Sequence, residues 1–165
     1  MKTAFRLALL AAIGGLGFWL WAILFPSPEK IILERISSFA ATCTFNAQDG
    51  NITRAGKVSN LIGYFSADAQ VAVDIQGMGT GALSGRDEIR EAAAVGFTRL
   101  DSLKVEFLDA NAKVAADKLG AEVNCTGKFS VGKSKDIGVQ EVRFQFKKIE
   151  GNWLITHIET VKTLH

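Results

Sequence analysis

The chain has 165 residues, a formal net charge of +2 and 22% charged residues, a length that suits one domain with a short appendage. Lys2 and Arg6 are two of its 19 basic residues and precede all 17 acidic ones, which leaves the remainder formally neutral with the signs interspersed. The basic stripe of a nucleic-acid binder is therefore missing, and no nucleic-acid partner is expected.

From Leu7 to Phe25 no residue is charged and almost none is polar. As a helix this span would be about 28 Å long, enough for the hydrocarbon layer of a bilayer. Residues 1–6 read as a cytoplasmic tail and 7–25 as a transmembrane signal anchor, because Lys2 and Arg6 precede the run while Glu29, Lys30, Glu34 and Arg35 cancel after it. Trp19, Trp21 and Phe25 fall at the outer end, where amphipathic aromatics favour the interface. A cleaved secretory signal would have a shorter apolar core and a small-x-small exit, whereas this exit reads Leu24-Phe25-Pro26-Ser27-Pro28. The expectation is a single-pass membrane protein with its C-terminal domain outside the cytoplasm, periplasmic in a bacterium; secretion after cleavage is the alternative. Ala8/Ala12 and Ala11/Gly15 have the small-xxx-small spacing of helix dimers, a spacing that arises easily in an Ala/Gly-rich run.

Residues 26–28 read as a linker and 29–165 as one domain. Ile32, Ile36, Phe39 and Cys43 share one helical face, which predicts a first helix over about 29–45. Asn46 to Asn51 breaks it, and Val58, Leu61, Ile62 and Phe65 mark a second over about 52–65. Ser66-Ala67-Asp68 stops that helix, and 69–75 alternates Val71, Val73 and Ile75 inward as a strand. Gly77, Gly79 and Gly81 form a turn or bulge; they do not fit the dinucleotide fingerprint. Ser84 with Asp87 resembles a capping box opening a third helix, whose apolar face is Ile89, Ala92, Ala93, Phe97 and Leu100. Strand patterns follow at Leu103, Val105, Phe107 and at Leu119, Ala121, Val123, Cys125.

The chain closes on a hairpin. Val142, Phe144 and Phe146 alternate with Arg143, Gln145 and Lys147, and Trp153-Leu154-Ile155-Thr156-His157-Ile158 follows a turn at Glu150-Gly151 or Gly151-Asn152. Either turn sets Phe144 and Phe146 beside Trp153, Ile155, His157 and Glu159. A lone hairpin is marginal in water, so earlier elements must cover this face. The outcome is an α+β architecture with helices on one side of a bent antiparallel sheet.

The order of these elements, with Tyr64-Phe65-Ser66-Ala67-Asp68-Ala69-Gln70-Val71, Ser84-Gly85-Arg86-Asp87-Glu88-Ile89 and Gly151-Asn152-Trp153-Leu154-Ile155, resembles the nuclear transport factor 2-like superfamily over about residues 29–161. That superfamily includes SnoaL-like polyketide cyclases and ketosteroid isomerases. The resemblance implies a curved antiparallel sheet wrapped around three helices as a cone-shaped α+β barrel, open at one end onto an apolar pocket and here preceded by one transmembrane helix. The isomerase machinery does not carry over. Its general-base position, counted from Asp68, is Val73; Asp74 points to the other sheet face, and the chain's single tyrosine, Tyr64, lies on the second helix instead of the first.

With the concave face so assigned, His157, Glu159 and Tyr64 are the pocket candidates. A His–carboxylate pair there would suit proton transfer, and the plainer reading is a hydrogen-bonded histidine. Cys43 and Cys125 both point inward; they would form a disulfide or remain free buried thiols. His165 is the only other histidine, so no metal site is spelled out, and no cofactor motif is either. Gly127 to Ser134 matches the phosphate-loop pattern, but strand-type sequence follows Ser134 where a helix must start, so a polar hairpin loop is expected. Asn51-Ile52-Thr53 and Asn124-Cys125-Thr126 fit the glycosylation pattern, the second inside a strand. The leading expectation is a membrane-anchored, non-catalytic module that binds a small apolar ligand or a protein partner. A SnoaL-like cyclase, dehydratase or hydrolase and an envelope-complex scaffold are the alternatives, and pairing of two copies through the sheet stays open.

Overall fold

The structure is a computed structural model that describes residues 26–75, 79–132 and 137–161. The expected tail and membrane helix, residues 1–25, lie outside the described residues. Among the described residues no helix is long and apolar enough to cross a membrane.

Helix α1, Pro28–Cys43, opens with Ser27 as its cap: the Ser27 Oγ accepts from the Lys30 N–H at 3.3 Å, and Pro28 takes the first helical position, where no N–H is needed. The helix buries Ile32, Ile36, Phe39 and Ala40. Helix α2, Asn51–Ile62, is shorter than its apolar spacing predicts. Its last carbonyls, Asn60 and Leu61, accept from Gly63 and Tyr64, and Phe65 leaves the helix to pack edge-on against Phe39 at 5.7 Å between centroids. Strand β1, Phe65–Ile75, therefore starts before the expected Ala69. Ser66-Ala67-Asp68 is not a stop: the Ser66 hydroxyl, 1% exposed, donates to Asp68 Oδ1 at 2.8 Å within an irregular part of the strand.

The glycine stretch is also corrected. Gly79 and Gly81 belong to β2, Gly79–Ser84, which pairs antiparallel with β1 from Gln70↔Ser84 to Ile75↔Gly79, while Gly77 lies outside the described residues. Helix α3, Gly85–Arg99, is capped by Glu88 instead of Asp87: the Ser84 N–H donates to Glu88 Oε2 at 2.8 Å, and Asp87 pairs with Arg90. Gly85, at φ 83°, supplies the left-handed turn from strand into helix.

Four long strands complete the sheet: β3 Leu103–Val114, β4 Gly120–Val131, β5 Ile137–Ile149 and β6 Asn152–Val161. The spatial order is β2-β1-β6-β5-β4-β3, with β1 and β6 parallel and the other neighbours antiparallel. Glu150-Gly151 is the β5–β6 turn; both residues have positive φ, 50° and 82°, as a type I′ turn requires, and its twist suits the strands. The result is the expected curved sheet closed over three helices, its interior filled by Phe45, Phe144, Phe146, Ile32, Ile36 and Ile155, each no more than 2% exposed.

Candidate functional site

The hairpin predicted to present His157 to the cone interior does not do so. Phe146 pairs with Ile155 as the turn dictates, but Gln145 then pairs with His157 and Phe144 with Ile158. Thr156 is thus an extra residue in β6, a β-bulge held by its hydroxyl, which donates to the Gln145 carbonyl at 3.3 Å. Trp153, Ile155 and Ile158 are buried; His157 and Glu159 stand on the opposite, outer face of the sheet. A one-residue slip moves every following side chain to the other face, which is the physical reason the expected pocket pair is displaced.

On that outer face the two residues join a polar ladder across three strands. Asn124 Nδ2 donates to Glu122 Oε1 at 2.8 Å, Arg143 Nε to Asn124 Oδ1 at 3.2 Å, and Arg143 Nη1 to Glu159 Oε1 at 3.0 Å. His157 Nε2 lies 3.6 Å from Glu159 Oε2, beyond hydrogen-bond reach. The register explains the assembly: Asn124, Arg143 and Glu159 are directly opposite one another on β4, β5 and β6. Arg143 and Glu122 were missed in the sequence because alternation assigns a face but no cross-strand neighbour.

Tyr64, the third candidate, is half-buried and belongs to the core wall. Its ring meets Phe39 edge-on at 5.5 Å, and the Arg35 guanidinium lies over the ring at 4.8 Å while Arg35 Nη2 donates to the Gly63 carbonyl at 3.2 Å. Burial lowers the Arg35 pKa, and the nearby Tyr64 opposes that shift. The link from Tyr64 to β6 is made by its backbone, whose carbonyl accepts from the Ile155 N–H at 2.8 Å. Cys43 and Cys125 are free thiols, each pushed up to about 12 by burial, with the Glu141 charge adding to the shift at Cys125.

At the isomerase base position, Val73 is half-buried; the Asp74 N–H donates to Thr160 Oγ1 at 2.8 Å, and Asp74 pairs across the sheet with Thr80. The interior itself is aromatic. Phe39, Phe107 and Phe144 meet around one point with centroid distances of 5.1 to 6.2 Å, and Phe146 stacks on Phe144 at 6.4 Å. Clefts formed by the described residues include one of about 740 Å³ between α1 and β3, one of about 480 Å³ between α2 and α3, and one of about 460 Å³ over β1, β2 and β6. Among the described residues no three His, Cys, Asp or Glu side chains converge as metal ligands. The phosphate-loop match also lacks its geometry: Gly127 sits inside β4, where a Cβ would come within 2.7 Å of the Phe129 ring, and residues 133–136 lie outside the described residues.

No family model matches the sequence. No curated protein matches it either. Solved structures do share the fold. An NTF2-like protein of unknown function from Pseudomonas putida aligns at TM-score 0.64 and 12% identity, over 83% of this chain and 87% of its own. A candidate scytalone dehydratase from Novosphingobium aromaticivorans aligns at TM-score 0.58 and 13% identity, over 81% and 82%. A chain of the yeast deubiquitinase Ubp3 and Bre5 cofactor complex aligns at 0.61 and 12%, over 81% and 96%. At these identities the likeness establishes the NTF2-like fold.

Proposed function

We propose that the chain is a membrane-tethered, non-catalytic module of NTF2-like fold whose partner is another protein, engaged through the exterior of the cone. One observation carries this reading. Phe144, Phe146 and Trp153 are 1%, 2% and 4% exposed and occupy the space a ligand pocket would need. Among the described residues no polar groups that would act on a substrate are gathered there; the His157–Glu159 pair lies outside, with Glu159 already bonded to Arg143. A neighbour of the same fold belongs to a complex between proteins, so the fold is compatible with such use. The tether is residues 7–25, and the open outer face of the sheet is available for pairing two copies.

The experiment is native mass spectrometry of the full-length chain released from membranes in mild detergent. The expected spectrum contains the protein without a small molecule; a stoichiometric apolar ligand retained by the folded domain would overturn the reading. Extraction with alkaline carbonate tests the tether. The full chain is expected in the membrane pellet, and its appearance in the supernatant would show that residues 7–25 do not anchor it.

A further inference from the structure

We infer that the partner binds as an extended segment that adds to the free edge of β3, in the groove between β3 and α1; this rests on the protein-binding reading above. Strand β3 ends the sheet order, so one side of its backbone has no neighbouring strand. The chain itself covers the first part of that edge. Leu103 exchanges both backbone bonds with Phe45, at 2.8 and 3.0 Å, and two residues on the Val105 N–H donates to Thr44 Oγ1 at 3.1 Å. Backbone groups of a strand alternate sides, so the N–H and C=O of Phe107 point to the same edge, and no described residue pairs with them. Pairing stops there because the chain before Thr44 is already helix α1.

What adjoins Phe107 is a groove of about 740 Å³, floored by Leu33, Ile36, Ala40 and Ala41 of α1 and flanked by Leu108, which is 47% exposed. An apolar groove running beside unpaired backbone groups specifies an occupant with both a free main chain and alternate apolar side chains, the requirement met by strand addition. The charges at the rim are satisfied internally, Lys104 with Glu106 at 3.0 Å and Lys57 with Asp49 at 3.3 Å. Main-chain bonds and apolar side chains, not ion pairs, would therefore hold the segment. The bulge at Asp109, φ 53°, shifts the register just beyond Leu108 and limits the paired stretch to a few residues. A second copy is a poorer fit, because antiparallel self-pairing about Phe107 would set Glu106 opposite Leu108 and Lys104 opposite Ala110, matching no opposite charges.

The test uses the full-length chain in detergent micelles and a displayed library of random heptapeptides, with the selected sequences then synthesised. The peptides are expected to carry apolar residues at alternate positions and to slow hydrogen exchange at the Phe107 amide. Their affinity should fall at least tenfold in Ala41→Arg, which fills the groove from an exposed helix position, and in Leu108→Lys, both verified as folded by their melting transitions. Arg143→Ala, on the outer sheet face, should leave binding unchanged. Peptides that protect no β3 amide, that bind Ala41→Arg as well as the parent, or that cannot be selected at all would overturn the inference, as would a dimer of this chain that Ala41→Arg dissociates. Binding lost in Arg143→Ala instead would sink the edge site and keep the protein-binding reading. A small apolar molecule found inside the cone would sink that reading without any change at the Phe107 amide.

Discussion

Arg54 ties the α1–α2 loop to the end of α3. Its guanidinium donates to five carbonyls, those of Asp49, Phe97, Leu100, Asn46 and Asp101, at 2.7 to 3.1 Å, and lies 4.8 Å over the Phe45 ring. These carbonyls close the α1–α2 loop and the C-terminal end of α3, where the last turn of a helix has oxygens without partners. Removing the guanidinium strands several of them at once. Arg54→Ala is expected to lower stability by about 3 kcal/mol in urea titration, and Arg54→Lys, with three donors and no planar fork, to recover less than half of that. The buried thiols act in the opposite pH range from carboxylates. Because the folded chain keeps the Cys43 and Cys125 protons up to about 12, their contribution is complete below the ordinary thiol range of about 8.5 and is lost as pH rises from there toward the folded value. Cys125→Ala is expected to flatten the fall of melting temperature over that alkaline window relative to the parent, and equal slopes would refute the assignment.

At the scale of the element, helices were legible where apolar spacing coincided with a boundary residue, and strands wherever alternation ran unbroken. Ile32, Ile36 and Phe39 gave α1 its face, and Ala121, Val123 and Cys125 are buried as alternation requires. Beyond the irregular start of β1, alternation among the described residues fails at Asp109-Ala110 in β3 and at Thr156 in β6, and each of these is a bulge. After Phe107 the core-facing residues become Ala110, Ala112 and Val114; after Ile155 the next is Ile158. The second case left a trace in the sequence, since unbroken alternation would turn the apolar Ile158 outward and the polar His157 inward. The first rests on Asp109 adopting a left-handed backbone, which aspartate tolerates. Deletion variants separate the two geometries. Without Thr156 the remaining residues still place Ile155 and Ile158 inward, so that variant is expected to unfold cooperatively. Without Leu154, Trp153 turns outward and about 3 kcal/mol or more is lost. His157→Ala, on the outer face, should change stability by less than about 0.5 kcal/mol; a larger loss in denaturant titration would return His157 to the interior.

For the whole molecule, the cone shape comes from the family resemblance that the order of elements carries, and the sequence leaves open whether its apolar faces enclose a pocket or fill it. An apolar strand face is the same pattern whether it lines a pocket or fills one, and only the approach of α1 to the sheet decides. Here the approach is close: Phe39 from α1, Phe107 from β3 and Phe144 from β5 occupy one volume, with the Phe39 and Phe107 rings 6.2 Å apart and the Phe144 ring 5.1 Å from Phe107. Aromatic side chains locked in mutual contact leave a void when one is truncated, because the helix and sheet that frame them are held by the remaining core and relax only in part. Phe144→Ala is therefore expected to lose about 3–5 kcal/mol of stability and to leave an apolar, dry cavity. Such a cavity takes up benzene or xenon, so the variant should regain part of its melting temperature in their presence while the parent gains nothing. If the parent chain is itself stabilised by benzene, the cone is not filled, and the space inside it serves a ligand.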